Sequence, residues 1–142
     1  MTATPNTPSD ISLRVRRNAG SAALAAACLI YFGFFQLAKP VGNDLFAIAS
    51  LVFVYTLQIG GVLMAMVVLP SLLGHPMALL LDAVVSVGIG VLFVLTGVAM
   101  LLGGGDAIQT VLNVIFGAMF FSAGVRNGRY YITTTSNPSN HE

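Results

Sequence analysis

The chain has 142 residues, of which 56% are hydrophobic and 8% charged, with a formal net charge of +1. An ordinary soluble domain carries about 25% charged residues, so this composition belongs to a membrane protein, and its near-neutral balance offers no clustered basic face for nucleic acid. A single cysteine excludes a disulfide within the chain, and the apolar runs leave no length for a second folded domain.

The first nine residues, MTATPNTPS, are rich in Ser, Thr and Pro, and the reading expects a disordered cytoplasmic segment over 1–13. The cluster RVRR, with Arg14, Arg16 and Arg17, then leads into a first apolar run from Ala19 to Ala38, stopped by Lys39-Pro40. Three arginines before an apolar stretch also resemble the start of a cleaved signal peptide. The run is too long for an h-region, however, and Gln36 stands where a small residue would precede a cut at Ala38. A second run, Leu45 to Leu69, carries no charge and ends at Pro70 before GHP. The third, Met77 to Leu102, is broken once by Asp82 and closes on Gly103-Gly104-Gly105-Asp106. The fourth begins near Ala107 and either stops at Val125 or continues through RNGRYY; its span is taken as 107–129. The tail 132–142, ITTTSNPSNHE, is expected to be disordered, and Asn137-Pro-Ser is no glycosylation acceptor because proline holds its middle position.

Each run reaches the roughly 17 to 25 residues that a helix needs to cross hydrocarbon, and nothing alternates with period two in ten-residue units as a membrane barrel would. The fold class is therefore all-α: an integral membrane antiparallel four-helix bundle with short loops, its four spans lying within 14–131. Arg14, Arg16 and Arg17 precede the first span and Arg126 and Arg129 close the fourth, whereas the opposite connections hold only Lys39. The positive-inside rule places both termini in the cytoplasm, as an even number of spans requires.

Small residues matter most for helix association in lipid. Ala19, Ala23 and Ala27 on the first helix, Ser86 and Gly90 on the third, and Ala118 and Ser122 on the fourth recur every four residues and are the expected packing faces, available also to a partner. Catalytic and metal-binding patterns are missing from the sequence. His75 lies in a turn and His141 in the tail, so no imidazole pair can hold a haem. Cys28 is alone, and GGG reads as a turn rather than a phosphate loop. No catalytic, cofactor or metal site is expected. Tyr130-Tyr131 reads as an interfacial anchor and Met64, Met66 and Met100 as gap fillers.

Asp82 is the exception. It stands five residues, about 7 to 8 Å, into the third helix from its cytoplasmic end. Arg126 and Arg17 reach a similar depth, so a structural polar pair of Asp82 with Arg126, or failing that with Arg17 or the amide of Asn18, is the expected arrangement. A proton relay through Asp82 is the competing reading, although one acid without a second acid or a histidine makes a poor relay.

Four short-looped spans, an arginine at the mouth of the first helix and LLLDAVVSVGIGVLFVLTGVAML as the third resemble the MARVEL superfamily, the tetraspan group of myelin-and-lymphocyte, synaptophysin and occludin-type proteins. The plant Casparian-strip membrane proteins are similar. In that group an early Asp on the third helix precedes small and aliphatic residues, as Asp82-Ala83-Val84 does here, and a basic residue opens the first helix, as Arg16 or Arg17 does. The resemblance spans 14–131 and implies a non-enzymatic protein that organises membrane in vesicle traffic, junctions or lipid-ordered patches. Its partners would be membrane lipids, further copies of itself or another membrane protein. Two other classes stay open: an accessory subunit of a larger membrane complex, and a small transporter or proton-coupled channel using Asp82. The transporter reading is disfavoured because no acid lies between Ala19 and Ala38.

Overall fold

The computed structural model describes residues 8–36 and 44–135, with side chains placed for 11–35 and 44–135. Four helices follow one another: α1 (Pro8–Tyr31), α2 (Leu45–Leu72), α3 (Met77–Leu102) and α4 (Ala107–Thr135). Each contains a segment long and apolar enough to cross a membrane. α1 packs on α2, α2 on α3 and α3 on α4, with α3 and α4 sharing the most extensive face. The backbones of α1 and α4 stay apart, and α1 meets α3 only marginally, so the bundle has an open side between its first and last helices.

The helices are longer than the apolar runs. α1 starts at Pro8, a residue suited to a first helical position, so residues 8–13, expected to be disordered, are helical and the arginines ride on the helix itself. No breaker separates Pro8 from Ala19, and arginine is a good helix former whose long stem lets the charge reach water. α2 passes through Pro70 to Leu72 instead of stopping at Leu69. Proline there removes one hydrogen bond from the last turn only, and the Leu73 N–H closes the helix on the Leu69 carbonyl. α4 takes the longer of its two expected courses and overruns 129 and 131, ending at Thr135. The hydroxyls of Thr133, Thr134 and Thr135 donate back to the carbonyls of Tyr130, Tyr131 and Ile132, the last of which the helix C-terminus leaves without a backbone partner. Residues 1–7, 37–43 and 136–142, with His141, lie outside the described residues.

The turns follow their residues. Gly74 and Gly104 have φ of +73° and +88°, values that a Cβ disfavours. The glycine triplet forms the α3–α4 turn and lies close against Phe46: a Cβ on Gly103 would come within 2.6 Å of the Phe46 nitrogen. At this end Asp44 caps α2, its carboxylate accepting from the Ala47 N–H at 2.7 Å. Asp106 opens α4 in the same way, accepting from the Ile108 N–H at 3.0 Å.

Packing follows a three-and-four spacing. α1 buries Val15, Ala19, Ala22, Ala26, Leu29 and Gly33. Ala22, Ala26 and Leu29 join Leu57 and Met64 of α2 and Ile89 and Phe93 of α3 in the main core. Of the expected packing residues, Ala19, Ser86 and Gly90 are buried, whereas Ala23, Ala27, Ala118 and Ser122 face outward. Four-residue steps advance 400° around a helix, so two of them move a position by about 80° and carry Ala27 off the face that holds Ala19. On α4 the inward stripe is Thr110, Asn113, Gly117, Gly124 and Asn127; Ala118 lies one residue, about 100°, from it. Ala83, Gly90 and Gly97 of α3 meet this stripe at intervals of seven, which lets the two backbones touch.

A candidate site between the first and last helices

Asp82 is 4% exposed and holds three helices together. Its carboxylate accepts from the side-chain amide of Asn18 on α1 at 2.8 Å and from that of Asn127 on α4. A weaker contact comes from the Ser86 hydroxyl, one turn along its own helix, at 3.3 Å. Ser21 in turn donates to the Asn18 carbonyl oxygen and side-chain oxygen, at 2.8 and 3.2 Å, fixing the amide that faces Asp82. Since α1 and α4 share no backbone contact, this carboxylate is a principal polar link between them.

The expected arginine pairing is replaced. Arg17 and Arg126 have exposed side chains, and no ion pair to a carboxylate occurs among the described residues. Two facts account for this. A guanidinium at shallow depth keeps most of its hydration by extending toward the interface, whereas an asparagine amide is short and, once buried, needs an acceptor. Of the three partners considered from sequence, only Asn18 is used. Asn127 was not singled out because it stands between arginines in RNGRYY and reads as part of a charged run. Its position three residues beyond Gly124 and fourteen beyond Asn113, on the inward stripe, is the signal that identifies it.

The arginines gather above this link. Arg14, Arg17 and Arg126 line a recess of about 530 Å³ with Leu13, Asn18, Ser21, Leu79 and Asn127. The Arg14 guanidinium lies over the Tyr130 ring, 3.9 Å from its centre, which fixes one wall. Tyr130 and Tyr131, expected as interfacial anchors, pack against Val15, Ala78 and Leu79, and the Tyr131 hydroxyl donates to the Met77 sulfur at 3.2 Å. Below the recess a second cavity of about 260 Å³ continues between α1 and α4. Its walls are mainly apolar, including Ala22, Ala25, Met64, Phe116, Phe120 and Ala123, with Asp82 and Ser86 set into them.

Other polar groups are engaged locally. Gln58 of α2 donates to the Gly33 carbonyl at 2.7 Å, within the π-helical turn Phe32–Gln36 that extends α1. A π turn shifts the helical hydrogen-bond register, and Gln58 supplies that carbonyl with a donor from outside. Asn113 reaches the Met100 sulfur and Thr110 the Gly97 carbonyl. Among the described residues, Ser71 Oγ is the buried side-chain polar atom with no partner, and no three His, Cys, Asp or Glu side chains gather as a metal-holding group. Cys28 faces outward. No family model, curated protein or solved structure matches the chain.

Proposed function

We propose that this chain is a non-enzymatic four-span protein that organises membrane by lateral association, the role implied by its resemblance to the MARVEL group. The reading rests on one observation: the intramembrane carboxylate is engaged by three donors of its own bundle, while Ala23, Ala27, Ala118 and Ser122 face outward. An acid serving as a relay needs a neighbouring group to take its proton, and amides and a hydroxyl around Asp82 serve instead to hold it. Outward small residues let another helix approach closely in lipid, where dispersion and weak polar contacts drive association. An accessory-subunit role would use the same faces, with a larger membrane protein in place of a second copy.

Extraction in mild detergent followed by cross-linking distinguishes these readings. Homo-oligomers that are lost in Ala118→Phe/Ser122→Phe support the organiser, whereas a stoichiometric larger partner supports the subunit. Proton flux in liposomes that disappears in Asp82→Asn would overturn both and restore the relay.

A further inference from the structure

We propose that the recess between α1 and α4 is a binding site for one anionic phospholipid, with its phosphate among Arg14, Arg17 and Arg126 and an acyl chain in the apolar cavity below. The inference goes beyond lateral association and holds whether the chain acts as organiser or subunit.

Charge complementarity selects the occupant. Three arginines line one recess, and no carboxylate pairs with them among the residues whose side chains are placed. Asp82 lies in the wall of the lower cavity with its oxygens held by Asn18, Asn127 and Ser86. Planar guanidiniums match phosphate oxygens in pairs, which makes arginine suited to phosphate recognition.

The second half of the argument is the continuity of polar and apolar space. The upper recess, about 530 Å³, has the size of a ligand pocket. It shares Asn18, Ser21, Arg126 and Asn127 with the lower cavity, so the two spaces adjoin and together extend from the arginines to Ala25, Met64, Phe116 and Ala123. A free phosphate would fill only the upper part, whereas a phospholipid fills both. The separation of the α1 and α4 backbones gives the chain lateral access from the bilayer.

The test uses the full chain purified into phosphatidylcholine nanodiscs containing graded phosphatidylglycerol, with lipid retained after detergent transfer measured by native mass spectrometry. Each cation that touches the retained lipid contributes about fivefold, the scale of one cation at an anionic surface. Arg17→Gln/Arg126→Gln should therefore lower phosphatidylglycerol retention about 25-fold, while Arg17→Lys/Arg126→Lys, which keeps the charge and loses the planar fork, should show a smaller but measurable loss. Arg129→Gln, on the same helix but outside the recess, should leave retention unchanged. Ala123→Phe, which narrows the lower cavity and leaves every charge in place, should weaken retention. Circular dichroism and monodispersity establish that each variant is folded, and the Lys pair supplies the reading should the Gln pair misfold. Equal retention of phosphatidylcholine, an equal loss in Arg129→Gln, or full competition by glycerophosphate would overturn the proposal; the last result would mean a small-anion site. Oligomerisation measured on the same samples keeps failure of the lateral-association reading separate.

Discussion

A methyl group placed on Gly90 tests the close approach of α3 and α4. A Cβ there would stand 2.6 Å from the Gly117 carbonyl oxygen, 2.7 Å from the Phe121 nitrogen and 3.0 Å from the Phe121 Cα. All three are backbone atoms and cannot turn aside. Ordinary non-bonded contact lies at about 3.5 to 4.0 Å, so α3 and α4 would have to separate by on the order of 1 Å. That displacement would also loosen Gly117 from Val94 and Phe93, and Gly124 from Ala83 and Val87. Overpacking of this kind costs about 1 to 3 kcal/mol, or roughly 5- to 150-fold in the folding equilibrium.

Gly88 supplies the control, because it lies two residues away on the same helix and a Cβ there meets nothing within 4 Å. Gly88→Ala should be neutral or stabilising by up to about 1 kcal/mol, through helix propensity alone. Reversible unfolding of the full chain in mixed micelles, followed by helicity as dodecyl sulfate is added, gives both values. Gly117→Ala, whose Cβ would stand 2.7 Å from the Gly90 carbonyl oxygen, should match Gly90→Ala. The double variant should cost less than the sum, since helices already parted accept the second methyl more easily. A Gly90→Ala stability within about 0.5 kcal/mol of Gly88→Ala, the scale of an ordinary surface substitution, would refute the close α3–α4 approach.

Asp82→Ala should destabilise by about 1 to 3 kcal/mol in the same assay, because the Asn18 and Asn127 amides lose their common acceptor. Asp82→Asn keeps an acceptor oxygen and should cost less, and equal stability of Asp82→Ala and the parent chain would defeat this account. Gln58→Leu removes the donor to the Gly33 carbonyl and should cost about 0.6 to 1.7 kcal/mol, the range of interhelical hydrogen bonds in membranes, with the loss seen as faster hydrogen exchange in the π turn. For topology, a cysteine at exposed His75 in a Cys28→Ser background should react only with reagent on the cytoplasmic side, and one at exposed Ala107 only from the opposite side. Reversed labelling would invert the orientation.

The four runs and their short turns were legible because apolar length, glycine and proline mark them directly. Helix ends were less so: Pro8–Arg17 and Arg126–Thr135 lack membrane hydropathy yet contain nothing that stops a helix. Composition defines the apolar span, and the helix continues past it into polar surroundings. The packing seams failed for a different reason. Repetition every four residues selects small residues without following the 3.6-residue turn, whereas the alternating spacing through Val15, Ala19, Ala22, Ala26 and Leu29 stays on one face. Asp82 was marked as inward, where the structure buries it, but its partners were sought by charge. The structure uses asparagines, whose amides are short enough to remain inside where guanidiniums extend outward. The contact of Gln58 with Gly33 was not legible, since it depends on a π turn for which FGFFQ carries no distinctive pattern.

The polar groups at the two ends of the bundle differ in a way that bears on its orientation. Asp44 and Asp106 each cap a helix at the end where α2 and α4 begin, and their charges complement the positive poles of those helices. These acids therefore have a local structural explanation and need not report on the surrounding membrane. The arginines at the opposite end cap no helix, and no carboxylate pairs with them among the residues whose side chains are placed. A leaflet carrying anionic lipid would attract them at about 1 kcal/mol per residue. Substituting Arg14, Arg16 and Arg17 together with glutamine in the full chain should consequently leave its helicity in neutral micelles unchanged while weakening the orientation preference in a bilayer. A structural role in helix formation would move both measurements downward.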